Sequence, residues 1–170
     1  MPIRTTVVNR GKRSYPITTR LRYRSGKPHG AYDIAMPIGT PLYAPLDGRV
    51  VGHRRGVHNN RRGERIYSGK PSNWVVLEVN LKTNYETYQR ATILFQHLSP
   101  NVKVRTGQRI KKGSLLGYSG NSGNSTGPHL HVGAQWVPRG QKATIYQRYD
   151  HVNRPARRIW PPERFLMEVL

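Results

Sequence analysis

The sequence predicts one mainly β domain, in which an antiparallel β-sheet forms a sandwich or an open barrel. Three observations lead to this fold class. The chain has 170 residues, the size of one domain that can close a hydrophobic core. Its β-branched and aromatic residues cluster in short runs, with 17 glycines and 13 prolines spread through the chain as turn residues. A helical pattern is confined to the last ten residues.

Five runs predict the strands, because each is rich in apolar residues and is bounded by turn residues. In chain order they are LYAPLDGRVVG (42–52), NWVVLEVNL (73–81), ATILFQHL (91–98), RIKKGSLLGYSG (109–120) and HLHVGAQWV (129–137). The last ten residues, PPERFLMEVL (161–170), predict a short C-terminal helix, since proline stands at its start and apolar residues recur at helical spacing.

Two polar, basic segments predict long loops between these elements. They are 53–72 and 138–158, the second with one short strand at Ala143–Tyr149. Loops of this length in a compact domain are usually functional or mobile. Both could rim a cleft and bind an anionic substrate, and the alternative of surface insertions stays open. Residues 1–27 carry basic charges and no acidic ones, which predicts a basic N-terminal arm.

The charge balance predicts an anionic partner. Lysine and arginine number 29 against 8 aspartates and glutamates, which gives a formal net charge of +21. Such an excess indicates nucleic acid, a cell-wall polymer or lipopolysaccharide, and charge alone does not choose among these polyanions. A solvated surface that keeps the chain soluble would carry the same charge.

Three features that the sequence lacks limit the kind of metal site and the cellular targeting that we expect. The sequence has no cysteine, so disulfides and thiolate zinc sites are excluded, and any metal must be held by histidine and carboxylate. No run approaches the ~18–20 apolar residues of a membrane span. The first 20 residues carry charges without an apolar core segment, so we expect no secretory signal.

Seven histidines are the candidates for catalysis or metal binding. They are His29, His53, His58, His97, His129, His131 and His151. Three of them, His53, His58 and His151, lie in the basic loops and are interpreted as exposed polar residues. The other four stand among apolar residues and glycines, where an imidazole needs a functional reason.

Spacing allows a metal site without requiring one. His129 and His131 share one face of a predicted strand, roughly 6.6 Å apart along the backbone. His29 and Asp33 would lie roughly 13 Å apart in a straight strand. They can bind one metal only if the chain curves between them, which Gly30 permits. Two imidazoles and a carboxylate suit Zn²⁺.

An ordered set of motifs over residues 28–136 is more specific than spacing. HGAYDIAMPIGTPLYAPLDGRVV is followed by NWVVLEV, by FQHLS and by VRTGQRIKKGSLLGYSGNSGNSTGPHLHVGAQW. In this order the chain resembles the lysostaphin-type (LytM) zinc endopeptidases of the bacterial cell wall. The resemblance implies a duplicated hybrid motif type of β fold and a metallopeptidase domain over residues 28–170. The expanded basic segment 53–72 departs from the family pattern and leaves substrate specificity undetermined.

The resemblance also implies roles for five residues. His29, Asp33 and His131 would be the Zn²⁺ ligands, and His97 and His129 would be the catalytic pair. The chain keeps all five positions, which favours an active enzyme over the relatives that have lost ligands. No glutamate is placed as in H-E-x-x-H enzymes, so the two histidines are the candidates for acid–base work.

The expected function is therefore zinc-dependent hydrolysis of peptide bonds in peptidoglycan, outside the cytoplasm at the cell wall or periplasm. Without a signal segment, the expected source is a phage, as a lysin or a virion tail-associated wall hydrolase. Expected partners are peptidoglycan, anionic wall polymers or lipopolysaccharide, and phage tail proteins. One alternative is a non-catalytic structural or wall-binding module. The other is a nucleic-acid binder, although the sequence contains no recognised nucleic-acid-binding motif. A faint likeness to lipoyl carrier domains lacks their lysine hairpin.

Overall fold

The structure is a computed structural model that describes residues 6–8, 14–20, 22–27, 29–80, 90–137 and 140–143. The strands within these ranges are β1 (Thr6–Val8), β2 (Ser14–Thr19), β3 (Tyr32–Ala35), β4 (Pro41–Tyr43), β5 (Gly48–Arg54), β6 (Asn73–Asn80), β7 (Arg90–Leu98), β8 (Arg109–Ile110), β9 (Leu115–Tyr118) and β10 (His129–Val137). The predicted C-terminal helix, His151, and the predicted strand at Ala143–Tyr149 apart from Ala143 itself lie outside the described residues. No helix of the described chain is long and apolar enough to cross a membrane.

The strands form one large antiparallel sheet and one small one. The large sheet has the order β1-β2-β3-β10-β7-β6-β5-β8, and β4 pairs with β9 in the small sheet. All of these pairings are antiparallel. The large sheet ends in two edge strands, β1 and β8, and does not close into a barrel. The predicted antiparallel β fold is confirmed.

One face of the large sheet makes the hydrophobic core. In β6, the side chains of Val75, Leu77 and Val79 are fully buried, because alternate residues of a strand point to the same face. The small sheet packs into the same cluster through Leu42 and Leu116. Full burial of each such side chain stabilises the fold by about 1.5–3 kcal/mol. The opposite face of β6 and β7 is left to line a cleft.

Two of the five predicted strands are each divided in two. The run 42–52 overlaps two strands, β4 and β5, because Pro45 has no N–H for a ladder. The run 109–120 contains β8 and β9, because the chain turns at Gly113 with a φ of 84°. Ala44 joins the two turns, since its N–H donates to Ser114 and its carbonyl accepts from Gly113.

Strands β1, β2 and β3 add to the predicted set. Strand β2 lies within the segment predicted as a basic arm, and Ile17 pairs with Ile34 of β3. Strand β3 has only four residues, flanked by glycine and proline, so its run was too short to predict from alternation. These strands extend the sheet beyond β10 and place the segment around His29 next to it.

Candidate metal centre

The metal centre begins with the pairing of β3 and β10. His131 is the cross-strand partner of Asp33. Directly paired residues of an antiparallel sheet have side chains on the same face, with Cβ atoms about 4.5–5.5 Å apart. The Nδ1 of His131 therefore lies within hydrogen-bonding distance of Oδ1 of Asp33, at 3.0 Å. His129, two residues before His131, points to the same face, and its Nε2 lies 3.6 Å from the same oxygen.

A turn at Gly30 brings His29 to this pair. Gly30 has a φ of 74°, in the left-handed region that glycine adopts without strain. As a result the Nε2 of His29 lies 3.3 Å from Oδ1 of Asp33, far closer than a straight strand would allow. The turn packs tightly on β10, where a Cβ on Gly133 would lie 3.2 Å from the carbonyl oxygen of Gly30. The curve expected from the sequence is present.

The three side chains form a compact set of donors. One ligand atom from each of His29, Asp33 and His131 lies within 4.8 Å of the other two. The side chains are 3%, 17% and 19% exposed. Two imidazole nitrogens and a carboxylate oxygen fit Zn²⁺, and three protein ligands leave a position open, as in catalytic zinc sites. The residues present therefore fit the ion.

The orientation of His29 is fixed from behind. Its Nδ1 donates a hydrogen bond of 2.8 Å to the carbonyl oxygen of Arg20. Metal-binding histidines commonly donate their second ring N–H to such an acceptor, which fixes the tautomer and the ring plane. The ring of Tyr23 also lies against His29, with 4.6 Å between centroids. Nε2 is thus the nitrogen that His29 presents to the centre.

The electrostatics keep Asp33 ionised. Burial alone would raise the pKa of Asp33, but hydrogen bonds from His131 and His29 and their charges hold it well below its usual value. Burial lowers the pKa of His131 and outweighs the attraction of Asp33. Burial also acts to lower the pKa of His29, but the hydrogen bond and charge of Asp33 raise it overall. A carboxylate beside a neutral His131 is the protonation state that metal binding needs.

His97 reaches the site through a β-bulge. Trp74 of β6 pairs with Gln96 and Asn73 pairs with Leu98, so His97 is the extra residue of β7. Among the described residues it is the single non-glycine with a positive φ, at 62°. Simple alternation would turn His97 away from Gln96 and the cleft. Bulges redirect side chains in this way beside active sites, and His97 lines the cleft.

His97 and His129 present the same nitrogen. The Nδ1 of His97 donates 2.8 Å to the carbonyl of Ser122, and the Nδ1 of His129 donates 2.8 Å to the carbonyl of Gly127. These bonds place the proton on Nδ1 and leave Nε2 as the basic atom. The two rings lie 4.8 Å apart between centroids. Burial, helped by the charges of His129 and His131, lowers the pKa of His97 to about 4.

All five residues line one cleft of about 600 Å³. Its lining beyond the histidines and Asp33 is Tyr23, Arg54, Ser68, Gly69, Lys70, Pro71, Ser72, Trp74, Val76, Leu94, Gln96, Asn124, Ser125 and Thr126. The segment 53–72, predicted as a loop that rims a cleft, supplies its last five residues as one wall. Hydrogen bonds attach this loop to the segment before β10: the Nδ2 of Asn60 donates to the carbonyl oxygens of Gly123 and Ser125.

Two other histidines have structural contacts. His53 lies on β5 and not in the loop, because the strand continues to Arg54; its Nδ1 accepts from the N–H and hydroxyl of Thr106. His58 lies in the loop, as predicted, with a side chain 58% exposed and its Nε2 2.8 Å from Oε1 of Glu64. Neither residue lines the cleft.

Sequence reasoning placed Arg54 in a segment expected to rim a cleft. The cleft residues that it missed include Tyr23 and the strand residues Trp74, Val76, Leu94 and Gln96. Tyr23 lies in the segment predicted as an arm, and its only signal was an aromatic residue close to His29. The four strand residues lie on β6 and β7, and which face each of them takes depends on the register of neighbouring strands. The bulge in β7 shifts the pairing of its residues with those of β6, so the register cannot be predicted from the sequence of one strand.

The structure has an open antiparallel sheet, and one cleft on it holds a His–Asp–His donor set with two further histidines. This combination is that of a metal-dependent hydrolase domain. Residues 27–145 match Peptidase family M23, and the chain belongs to that family. The resemblance to the zinc endopeptidases of the cell wall is thereby confirmed at the level of the family.

Three similar proteins illustrate the match. The peptidoglycan DD-endopeptidase ShyA of Vibrio cholerae is 38% identical over 130 residues, which are 76% of this chain and 24% of ShyA. The chain thus spans about a quarter of that relative. A zinc-containing peptidase from Vibrio cholerae has a TM-score of 0.52 and 26% identity, covering 81% of this chain and 39% of that one. A point mutant of the catalytic domain of the prophage-encoded M23 protein EnpA from Enterococcus faecalis has a TM-score of 0.52 and 25% identity, covering 76% of this chain and 88% of that one.

Proposed function

We propose that the protein is a zinc-dependent endopeptidase that hydrolyses peptide bonds in bacterial peptidoglycan. The observation that carries the proposal is the convergence of three donor atoms within 4.8 Å at one end of a cleft. His29, Asp33 and His131 would hold the ion. Zinc in such a site polarises a carbonyl group and increases the acidity of water.

His97 and His129 would perform the proton transfers. Each has its Nδ1 proton engaged by a backbone carbonyl, so Nε2 is the atom that exchanges protons with the reactants. Hydrolysis adds the oxygen of water to the carbonyl carbon, breaks the C–N bond and leaves a carboxylic acid and an amine. An Nε2 that accepts the proton of water, and an Nε2–H that donates to the leaving nitrogen, supply both transfers. The same group can also stabilise the developing oxyanion.

The bond proposed for cleavage is the D,D cross-link between peptide stems. Support comes from ShyA, which is named a peptidoglycan DD-endopeptidase and is 38% identical. The competing bonds are those of a glycine bridge or of the stem itself. The cleft can hold an extended peptide, because its floor crosses several strands of the open sheet.

The decisive experiment is digestion of purified peptidoglycan of several chemotypes, with and without a chelator. Mass spectrometry of the released fragments identifies the bond. We expect chelator-sensitive release from directly cross-linked peptidoglycan. Binding to peptidoglycan without any chelator-sensitive release would contradict the proposal and favour the non-catalytic wall-binding module.

We also propose that the protein acts outside the cytoplasm as a phage lysin or a virion tail-associated hydrolase. The net charge of +21 suits attraction to anionic wall polymers or lipopolysaccharide. The similar EnpA domain is prophage-encoded. Mass spectrometry of purified virions and of phage-free cultures tests this context. Detection of the protein only in phage-free cells would contradict it.

A further inference from the structure

Arg54 lies in the same cross-strand row as the metal centre. In the register of the sheet, Arg54 is opposite Trp74, Trp74 is opposite Gln96, and Gln96 is opposite His131. His131 in turn is opposite Asp33. Paired residues point to the same face of a sheet, and all five line the cleft. They form a continuous floor with the donor set at one end and a guanidinium at the other.

The length of this floor matches a short extended peptide. Three strand spacings separate His131 from Arg54, a distance of about 14 Å at about 4.8 Å per strand. An extended chain covers about 3.3–3.6 Å per residue, so the floor spans about four residues. A peptide that runs across the strands therefore passes Gln96 and Trp74 before it reaches Arg54. Gln96 is fixed for this contact, since its Nε2 donates 3.0 Å to Oγ of Ser72.

The charge of Arg54 is available to a ligand. Within the described part of the chain, no hydrogen bond or ion pair engages its guanidinium, and the side chain is exposed. The other cation of the cleft, Lys70, is committed: its Nζ lies 2.9 Å from Oε1 of Glu64 and 2.9 Å from the carbonyl of Arg65. Of the cations in the described cleft, Arg54 is thus the one whose charged group can bind an anionic group of a ligand in place of water.

We infer that Arg54 is a specificity-determining residue that binds a carboxylate of the substrate, three to four residue lengths from the scissile bond. The inference rests on the proposed peptidase function and names its substrate class as acidic peptides with a free carboxylate. A guanidinium fits a carboxylate with two parallel hydrogen bonds, which a lysine cannot reproduce. Trp74 supplies the apolar surface between that contact and the metal centre.

The test compares two substrates and two variants. The substrates are cross-linked muropeptide dimers with free carboxylates, and the same dimers with those carboxylates converted to amides. The variants are Arg54→Gln and the matched control Arg55→Gln, which removes the same charge from the next, exposed residue that does not line the cleft. We expect Arg54→Gln to lower kcat/KM about tenfold on the free dimers, as for loss of a charged hydrogen bond. Amidated dimers should show no such loss, and Arg55→Gln should match the wild type on both.

The outcomes separate this inference from the function on which it rests. An equal loss on both substrates, or no loss on the free dimers, overturns the role of Arg54. An equal loss in Arg55→Gln shows that general charge attraction, and not a site, accounts for the effect. Absence of release by the wild type from either dimer overturns the proposed cleavage of the D,D cross-link and this inference with it, whereas release from other peptidoglycan chemotypes would still support a peptidase.

Discussion

The two ends of the cleft are built in different ways. At the metal end, His29, His97 and His129 each donate Nδ1 to a backbone carbonyl at 2.8 Å, so each ring is fixed by the main chain. At the other end, the side chain of Arg54 is exposed and has no such partner among the described residues. The contrast fits the proposed roles, in which the metal site is preorganised and the Arg54 end adjusts to a substrate.

This difference matches the function proposed for each end. Metal binding and proton transfer tolerate little displacement, and supporting contacts set the tautomer and direction of each ligand. The metal end is supported by backbone atoms of the sheet and its adjoining turns, including the bulge at His97. Binding a flexible peptide instead gains from long side chains that reach different positions. We therefore expect substitutions at the metal end to have larger effects than those at the Arg54 end or in the loop that carries residues 68–72.

The largest effect is expected for His131→Ala. Removal of this donor leaves His29 and Asp33, too few ligands for a stable zinc site, so both bound zinc and peptidoglycan release should be lost. Zinc content measured by mass spectrometry of the purified protein checks the first loss, and fragment release checks the second. His53→Ala, outside the cleft, is the control and should keep both. Equal zinc in His131→Ala and the wild type would falsify the assignment.

The next largest effect is expected for His129→Ala, which should separate zinc binding from catalysis at the metal end of the cleft. His129→Ala should retain zinc, because the ion would be held by the other three residues, while turnover falls by about 10²–10⁴-fold, as for loss of a general acid–base group. Parallel measurement of zinc content and kcat on one preparation gives the answer. Loss of zinc together with turnover would instead assign His129 to the ligand set.

A smaller, graded effect is expected from pH. Protons compete with zinc for the imidazoles of His29 and His131, so kcat/KM should fall as pH drops below about 6. The pKa of His97, about 4, keeps that ring neutral through this range, so its protonation is not the cause. Raising the zinc concentration should therefore move the acidic limb to lower pH. A profile that stays flat down to pH 5 argues against this account.

The sequence was informative where local pattern decides structure. The face shared by His129 and His131, and the buried face of β6, follow from alternation along a strand. If His29 and Asp33 bind the same metal ion, the chain must turn between them, and Gly30 allows that turn. The position of His97 does not, because it depends on a bulge that one strand alone cannot reveal. The row from Asp33 to Arg54 depends on four registers at once, and is visible only when the sheet is assembled.

The smallest effect is expected for Glu64→Gln, in the loop that carries the wall residues 68–72. Glu64 holds the loop by accepting from the N–H of Arg61, from Lys70 and from His58, and these contacts lower its pKa from 4.5 to about 2. A lowered pKa means that the stabilisation is fully present above pH 4.5 and is lost as pH falls toward 2. Exposed charge contacts of this kind contribute little. The variant should thus lower Tm by about 2 °C at pH 7 and by less at pH 3, in thermal unfolding followed by circular dichroism. A Tm difference of the same size at both pH values would show that the carboxylate charge of Glu64 is not what holds the loop.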